Sequence, residues 1–599
     1  MRERLGPVAG SAMALLLVVA SAVALTAGAT SSASPLGPGC GGLAVAVAHR
    51  PGGVVVSPQP AGALQPCGVS TGYPAAESHI VVANDGTVVS TPAVLPSGIN
   101  GTGEGPSADS DTQGNASPAG LAASSDLGGH WSVIKPLGAT WNPTDHADYV
   151  DPRTGRQFFE DYGPIPLAPQ LGLTQDGPSH LLWTDDRVHW QHTVLPNLVL
   201  TENPHFTTAS APAGQPQPSG YPDVAYFCAN TNVGFTSPAI AGRLCFRSLD
   251  GGSTWSQTSQ LLSALAPRHP ECGASGETFS AVDGYYPEAT RDGSLYVLVA
   301  CGGRTFLARS TDEAATFPVV RTASGPVTVD VPIDSITAIG SGPQLRIGPD
   351  DTFYLVYPQV AGSRIVKLFV RVSADRGLSW GAPLDVTAPG VTGILRWAVA
   401  VSASSPGQLG FAYLGQRSGQ HTWDAYLTAS AAGTHDLSMW WSGVADAQPM
   451  LYGDTIQGAG HIALGQGQIA VPYPFPLGID AVGPVVAGND FIGATVGPDG
   501  TVWGSFNQDC GPSASTPGCV ADQDQTRGVV ARLATAAPPG LSASAKPSTG
   551  QVGAVRASNG AGGLAATGMS RAWPAVGLAL GIPALALRMR RRRRSSEAR

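Results

Sequence analysis

The sequence predicts an all-β protein: a seven-bladed β-propeller, with a six-bladed one as the alternative, followed by a disordered stalk and a C-terminal anchor. Three observations lead there. One turn motif recurs along the chain at a nearly fixed interval, and each interval holds several short runs of strand-forming residues. The composition is also that of strands and turns, with 77 Gly, 51 Pro and only 13% charged residues in 599.

The motif is clearest at Ser248-Leu249-Asp250-Gly251-Gly252-Ser253-Thr254-Trp255, an Asp box of the form Ser-x-Asp-x-Gly-x-Thr-Trp. Ser and Asp side chains hydrogen-bond to turn backbone, Gly supplies a positive φ, and Trp starts the next strand with a large apolar surface. Copies centre on Asp126, Asp312 and Asp375, and the copy at Asp312 has Ala314 where the others have Gly. The four aspartates are spaced by about 62 residues or twice that, the mark of a repeated supersecondary unit. Midway through the double gap lies a worn copy, Thr184-Asp185-Asp186-Arg187-Val188-His189-Trp190. Thr434-His435-Asp436 with Trp440 is the faintest. Asp126, Asp250, Asp312 and Asp375 are read as structural.

The chain opens with Arg2 and Arg4, an apolar run from Ala12 to Leu25 and small residues at Ala27-Gly28-Ala29, so 1–34 reads as a secretory signal, with a membrane anchor as the other reading. Residues 35–76 are rich in Gly, Pro and Ala, and their apolar stretch Leu43 to Val56 is expected to supply a strand that closes the propeller. From 77 to 534 each unit opens with a charged residue leading into a strand: Glu77, Asp145, Glu202, Glu277, Asp334, Arg396 and Asp490. A second, β-branched and aromatic strand follows a turn, as in Leu295 to Val299 or Phe353 to Tyr357, and a third runs into the box. Eight cysteines in an exported chain argue for four disulfides. Formally they allow 105 pairings, and pairing of neighbours is the expectation: Cys40 with Cys67, Cys228 with Cys245, Cys272 with Cys301, and Cys510 with Cys519.

First-strand starts crowd the axis of a propeller. The expected axial ligand site is therefore Glu77, Asp145, Glu202, His205, Glu277, Asp334, Arg396 and Asp490, an acidic ring that attracts a cation or basic ligand and repels an anion. The plainer reading is that these acids satisfy strand-end amides. Net charge is −9 although both termini are basic, so the middle of the chain is acidic and nucleic acid is excluded as a partner. No motif demands a cofactor or a zinc site. Calcium is the one candidate metal, at Asp509, Asp522 and Asp524 beside the Cys510–Cys519 loop, where a solvated loop is the plainer reading. His189 and His192 sit in the worn box and are read as structural. Glu160-Asp161 is a carboxylate pair of the kind glycosidases use, at a separation sequence cannot supply.

The boxes and repeated strands over 77–534 resemble those of bacterial sialidase-like (BNR-repeat) propeller proteins. The resemblance implies an axial site away from the boxes. A sialidase of that kind needs three convergent arginines, one in Arg-Ile-Pro, a Tyr–Glu pair and an acidic proton donor, because the planar guanidinium fork suits a sugar carboxylate. This chain has no Arg-Ile-Pro, Arg247, Arg309 and Arg371 precede boxes, and nothing marks Tyr286 and Glu288 as a nucleophilic pair. The expectation is thus a surface propeller that binds a glycan, protein or cationic ligand without catalysis. The alternative is a sialidase-clan exo-glycosidase with a divergent active site.

Residues 535–563 form an Ala/Pro/Gly/Ser stalk. Beyond it, Leu564-Ala565-Ala566-Thr567-Gly568, the apolar run Trp573 to Leu587 and the arginines Arg588 and Arg590 to Arg594 resemble a Gram-positive cell-wall sorting signal. This implies sortase cleavage between Thr567 and Gly568 and attachment to the wall. A membrane-retained tail is the alternative, with the arginine run held inside. Either places the protein at the cell surface.

Overall fold

The computed structural model describes residues 36–40, 45–56, 64–72, 78–91, 121–134, 147–168, 173–199, 201–231, 242–261, 286–301, 304–331, 342–361, 364–420, 422–430, 437–452, 492–509 and 526–535. Among them every regular element is a β-strand, and all pairing is antiparallel. Consecutive strands group by fours. The first unit is His79–Val82, Val88–Thr91, Leu121–Ser124 and Ser132–Ile134; the second is Asp148–Val150, Gln157–Ala168, Leu173–Thr184 and Gln191–Val199. The third is Thr201–Ala209, Val224–Thr231, Gly242–Ser248 and Ser256–Leu261; the fourth is Glu288–Ala289, Leu295–Cys301, Arg304–Ser310 and Thr328–Val329. The fifth is Gln344–Ile347, Phe353–Ala361, Arg364–Ser373 and Leu384–Asp385; the sixth is Val391–Val401, Leu409–Arg417, Thr422–Ser430 and Trp440–Val444. The last comprises Gly493–Val496, Val502–Asp509 and Thr526–Thr535, completed by Leu64–Ser70 from the other end of the chain.

The first strands lie side by side in a closed circuit. His79–Val82 neighbours Asp148–Val150, and each later first strand neighbours the next, until Gly493–Val496 returns to His79–Val82. A closed circuit of antiparallel units is a β-propeller, which leaves sheet edges only on the outer rim. The second strands read as continuous apolar runs because neighbouring units cover both of their faces. Val297, Leu298, Phe353 and Leu355 are fully or almost fully buried in one cluster with Tyr226 and Leu307.

The boxes form the turns between third and fourth strands. In each, the Ser or Thr hydroxyl donates to the Asp while accepting a turn N–H, and the Asp collects a further N–H across the turn. Ser248 Oγ donates to Asp250 Oδ1 at 2.8 Å, Gly252 N donates to Ser248 Oγ at 2.7 Å, and Thr254 N donates to Asp250 Oδ1 at 2.8 Å. The same network surrounds Asp126, Asp312 and Asp375, and the shorter copy at Asp186 keeps it. Ala314 adopts φ 63° where the boxes at Asp126, Asp250 and Asp375 use Gly, so the turn survives the substitution. The copy at Thr434-His435-Asp436 lies outside the described residues.

Three placements differ from the sequence expectation. The strand that closes the last unit is Leu64–Ser70, running from Leu64 opposite Thr535 to Ser70 opposite Val529. The stretch expected to close it instead forms a hairpin, Val47–Arg50 with Val54–Val56, on Trp440–Val444 of the sixth unit. The first strands of the fourth and fifth units begin at Glu288 and Gln344, because a first strand must run directly into its turn, here Asp292-Gly293 and Asp350-Asp351. In the sixth unit the strand begins at Val391, leaving Arg396 in its middle. Two expected disulfides are formed, Cys40–Cys67 and Cys228–Cys245. Cys272, Cys510 and Cys519 lie outside the described residues.

Candidate axial site

Of the expected ring, Glu77, Asp145, Glu277, Asp334 and Asp490 lie outside the described residues. Glu202 is in a first strand, opposite Asn230. His205, on the same strand, and Arg396 are half-buried. The residues that the described first strands bring together at the axis are a different set.

Glu288 of the fourth unit receives a hydrogen bond from Arg346 of the fifth, Nη1 to Oε1 at 3.0 Å. His205 of the third unit places Nε2 3.9 Å from the same Glu288 oxygen. Arg346 Nε donates to the Val399 carbonyl of the sixth unit at 3.2 Å. One polar row, His205–Glu288–Arg346–Val399, thus crosses four consecutive first strands. Arg346 also donates to the Leu345 carbonyl and to Gln344 Oε1, each at 3.0 Å. The row keeps some open surface, with 24% of the His205, 16% of the Glu288 and 17% of the Arg346 side chain exposed. Tyr286, just ahead of Glu288, stacks on His205 with ring centroids 4.5 Å apart.

Burial sets the electrostatics. It lifts the Glu288 carboxyl to about 7 against the opposing pull of Arg346. It lifts Asp148, at the start of the second unit's first strand, to about 7 as well, although Gln157 Nε2 donates to Asp148 Oδ1 at 2.9 Å. Both acids therefore take up or release a proton near neutrality. Asp148 and Glu288 therefore carry less negative charge than solvated acids would. Beside them Tyr149 Oη meets Thr208 Oγ1 at 2.8 Å, and Thr208 donates to Asp151 at 3.2 Å, which ties the second and third units together.

The arginines that precede boxes do not join this row. Arg247 pairs with Glu313, Arg309 donates to Ser294, and Arg371 donates to the carbonyls of Gly381, Asp330 and Trp380. At the box end, Arg376 bridges Asp292 and Asp351, stapling two units together. Glu160 is fully buried within its sheet, and His180 and His192 stack across the second unit's outer strands. Among the described residues no group of three or more His, Cys, Asp or Glu is placed to hold a metal ion; Asp522 and Asp524 lie outside them.

No protein-family model and no curated protein matches the chain. Solved structures with a similar arrangement include a Hadza microbial sialidase, Hz136, at 13% identity and TM-score 0.35, over 56% of this chain and 63% of that one. A mutant of the NanB sialidase from Streptococcus pneumoniae is similar at 12% identity and TM-score 0.34, over 78% of this chain and 68% of that one. The six-bladed, fucose-recognising Aleuria aurantia lectin is similar at 10% identity and TM-score 0.35, over 63% of this chain and 99% of that one. This chain thus spans under two thirds of the length of the Hadza sialidase. The class defined by the strand order and the closed circuit is an all-β propeller with a polar, partly open cluster at its axis.

Proposed function

We propose that this chain is an exported, seven-bladed propeller, held at the cell surface through residues 564–599, whose axial cluster binds a glycan. The observation that carries the reading is the row His205–Glu288–Arg346 beside the Tyr286 ring. It offers hydrogen-bonding groups held rigidly by one another next to an aromatic face, which is what a sugar with its alternating hydroxyl and C–H surfaces requires. A protein or basic ligand drawn by charge is bound less well by a hub in which burial favours the neutral forms of Asp148 and Glu288. Sortase processing at Thr567 and Gly568 belongs to the same reading, and so does display on the wall.

One observation favours a second reading, an exo-glycosidase with a rebuilt site. Asp148 and Glu288 both titrate near 7, the range in which a carboxyl can serve as acid or base at neutral pH. Glycan-array binding and a panel of fluorogenic glycosides, run with the full chain and with Glu288→Gln, separate the two. Binding without turnover, weakened in the variant, is the expected result. Turnover abolished in the variant supports the hydrolase, and binding indifferent to the substitution removes the axial site.

A further inference from the structure

Resting on the glycan reading, we infer that the axial site selects an uncharged sugar over one bearing a carboxylate, and that Arg346 with Glu288 sets this preference. A guanidinium has five N–H donors in a fixed fork, and it clamps a carboxylate through two parallel N–H groups along one edge. In Arg346, Nε is taken by the Val399 carbonyl, Nη1 by both Glu288 Oε1 and the Leu345 carbonyl, and one Nη2 donor by Gln344 Oε1. Neither edge retains two free donors. A ligand carboxylate could gain a two-point contact only by displacing a protein acceptor already in place at 3.0 to 3.2 Å.

Charge points the same way. The acceptor on Nη1 is itself a carboxyl, so an incoming anion meets Glu288 beside the cation that would attract it. Arg396 is the other arginine on the described first strands, and it lies in the middle of its strand. What remains for a ligand is the stacked rings of His205 and Tyr286, one Nη2 donor of Arg346 and the partly exposed Glu288 carboxyl. The site therefore recognises ring faces and hydroxyl groups and has no charge clamp.

The test uses matched pairs that differ only by a carboxylate in place of a hydroxymethyl group, such as methyl glucoside against methyl glucuronide and methyl galactoside against methyl galacturonide, titrated on the full chain at about pH 8, where Glu288 is mostly ionised. The expected result is that any pair recognised at all is bound at least about tenfold more tightly through its uncharged member. Glu288→Gln keeps an acceptor for Nη1 and removes the charge, so it narrows that ratio by about tenfold. Gln344→Glu, which keeps an acceptor for Nη2 and adds a second negative charge beside Arg346, widens the ratio and serves if the first variant fails to fold by its thermal transition. Equal or tighter binding of the acidic members overturns this inference and leaves the glycan reading standing. Unchanged ratios in both variants overturn the role of Arg346 and Glu288. No binding to any member overturns the glycan reading and this inference together.

Discussion

Glu288 and Arg346 hold the same register position in adjacent units, one opposite Tyr296 and the other opposite Tyr354, and their side chains meet at 3.0 Å. A repeat copies backbone position and leaves side-chain chemistry free. Here one copy carries the acid and the next carries the base, so the repeat itself builds a paired site at its axis.

That pairing has a pH signature. The Glu288 carboxyl titrates near 7 in the folded protein, raised by burial from an ordinary 4.5. The folded state therefore holds a proton that the unfolded chain has released, and the stability linked to this group falls as pH rises from 4.5 to about 7. Glu288→Gln mimics the protonated form. We expect the variant to match the wild type at low pH and to exceed it by roughly 1–3 kcal/mol at alkaline pH, read from urea midpoints. A constant difference across the range would contradict the assignment.

His49 produces the opposite slope. Its ring is buried, accepts from or donates to Ser442 Oγ at 2.7 Å, and is lowered by burial from 6.5 to about 4, with Asp385 pulling the other way. Its contribution is complete above 6.5 and lost as pH falls toward 4. His49→Gln should remove a loss of roughly 1–3 kcal/mol over that interval, visible as a flatter acid limb in the unfolding midpoint.

The box turn can be tested with two glycines. Gly252 has φ 103°, and a Cβ there would lie 2.6 Å from Trp183. Gly52 has φ 89° with nothing within 4 Å of the corresponding position. Gly52→Ala should cost about 1 kcal/mol from backbone strain alone, whereas Gly252→Ala should cost about 2–4 kcal/mol because collision adds to strain. Equal losses in denaturant unfolding would show that packing against Trp183 is unimportant.

Ring closure gives a fourth prediction. Arg532, almost fully buried, donates to the Leu127 carbonyl at 2.9 Å and the Leu36 carbonyl at 2.6 Å, beside the Cys40–Cys67 disulfide. Arg532→Met should cost about 2–4 kcal/mol, and removal of the disulfide about 3 kcal/mol. The double change should cost less than the sum, since both hold the same segment. Thermal unfolding of the four species checks this, and strict additivity would refute it.

How much could be read beforehand follows from how local each cause is. The boxes were legible because their Ser, Asp and Gly act within a single turn. The first strands of the fourth and fifth units were not, since the apolar runs after Glu277 and Asp334 have the composition of strands and compete with the short stretches that start at Glu288 and Gln344. Counting back from the turn aspartates Asp292 and Asp350 would have aligned Glu288 with Arg346 and exposed the pair. The closing strand is not legible locally because Pro66 and Gly68 weaken its propensity, and the partner that makes it a strand, Thr526–Thr535, lies at the far end of the propeller sequence.

That far partner governs how the molecule comes into being. Leu64 meets Thr535, so a nascent chain is an unfinished arc until almost the whole propeller sequence has been delivered, and its early segment must wait for its mate. A stop codon shortly before Thr526 would not trim an end; it would leave a circle without a clasp.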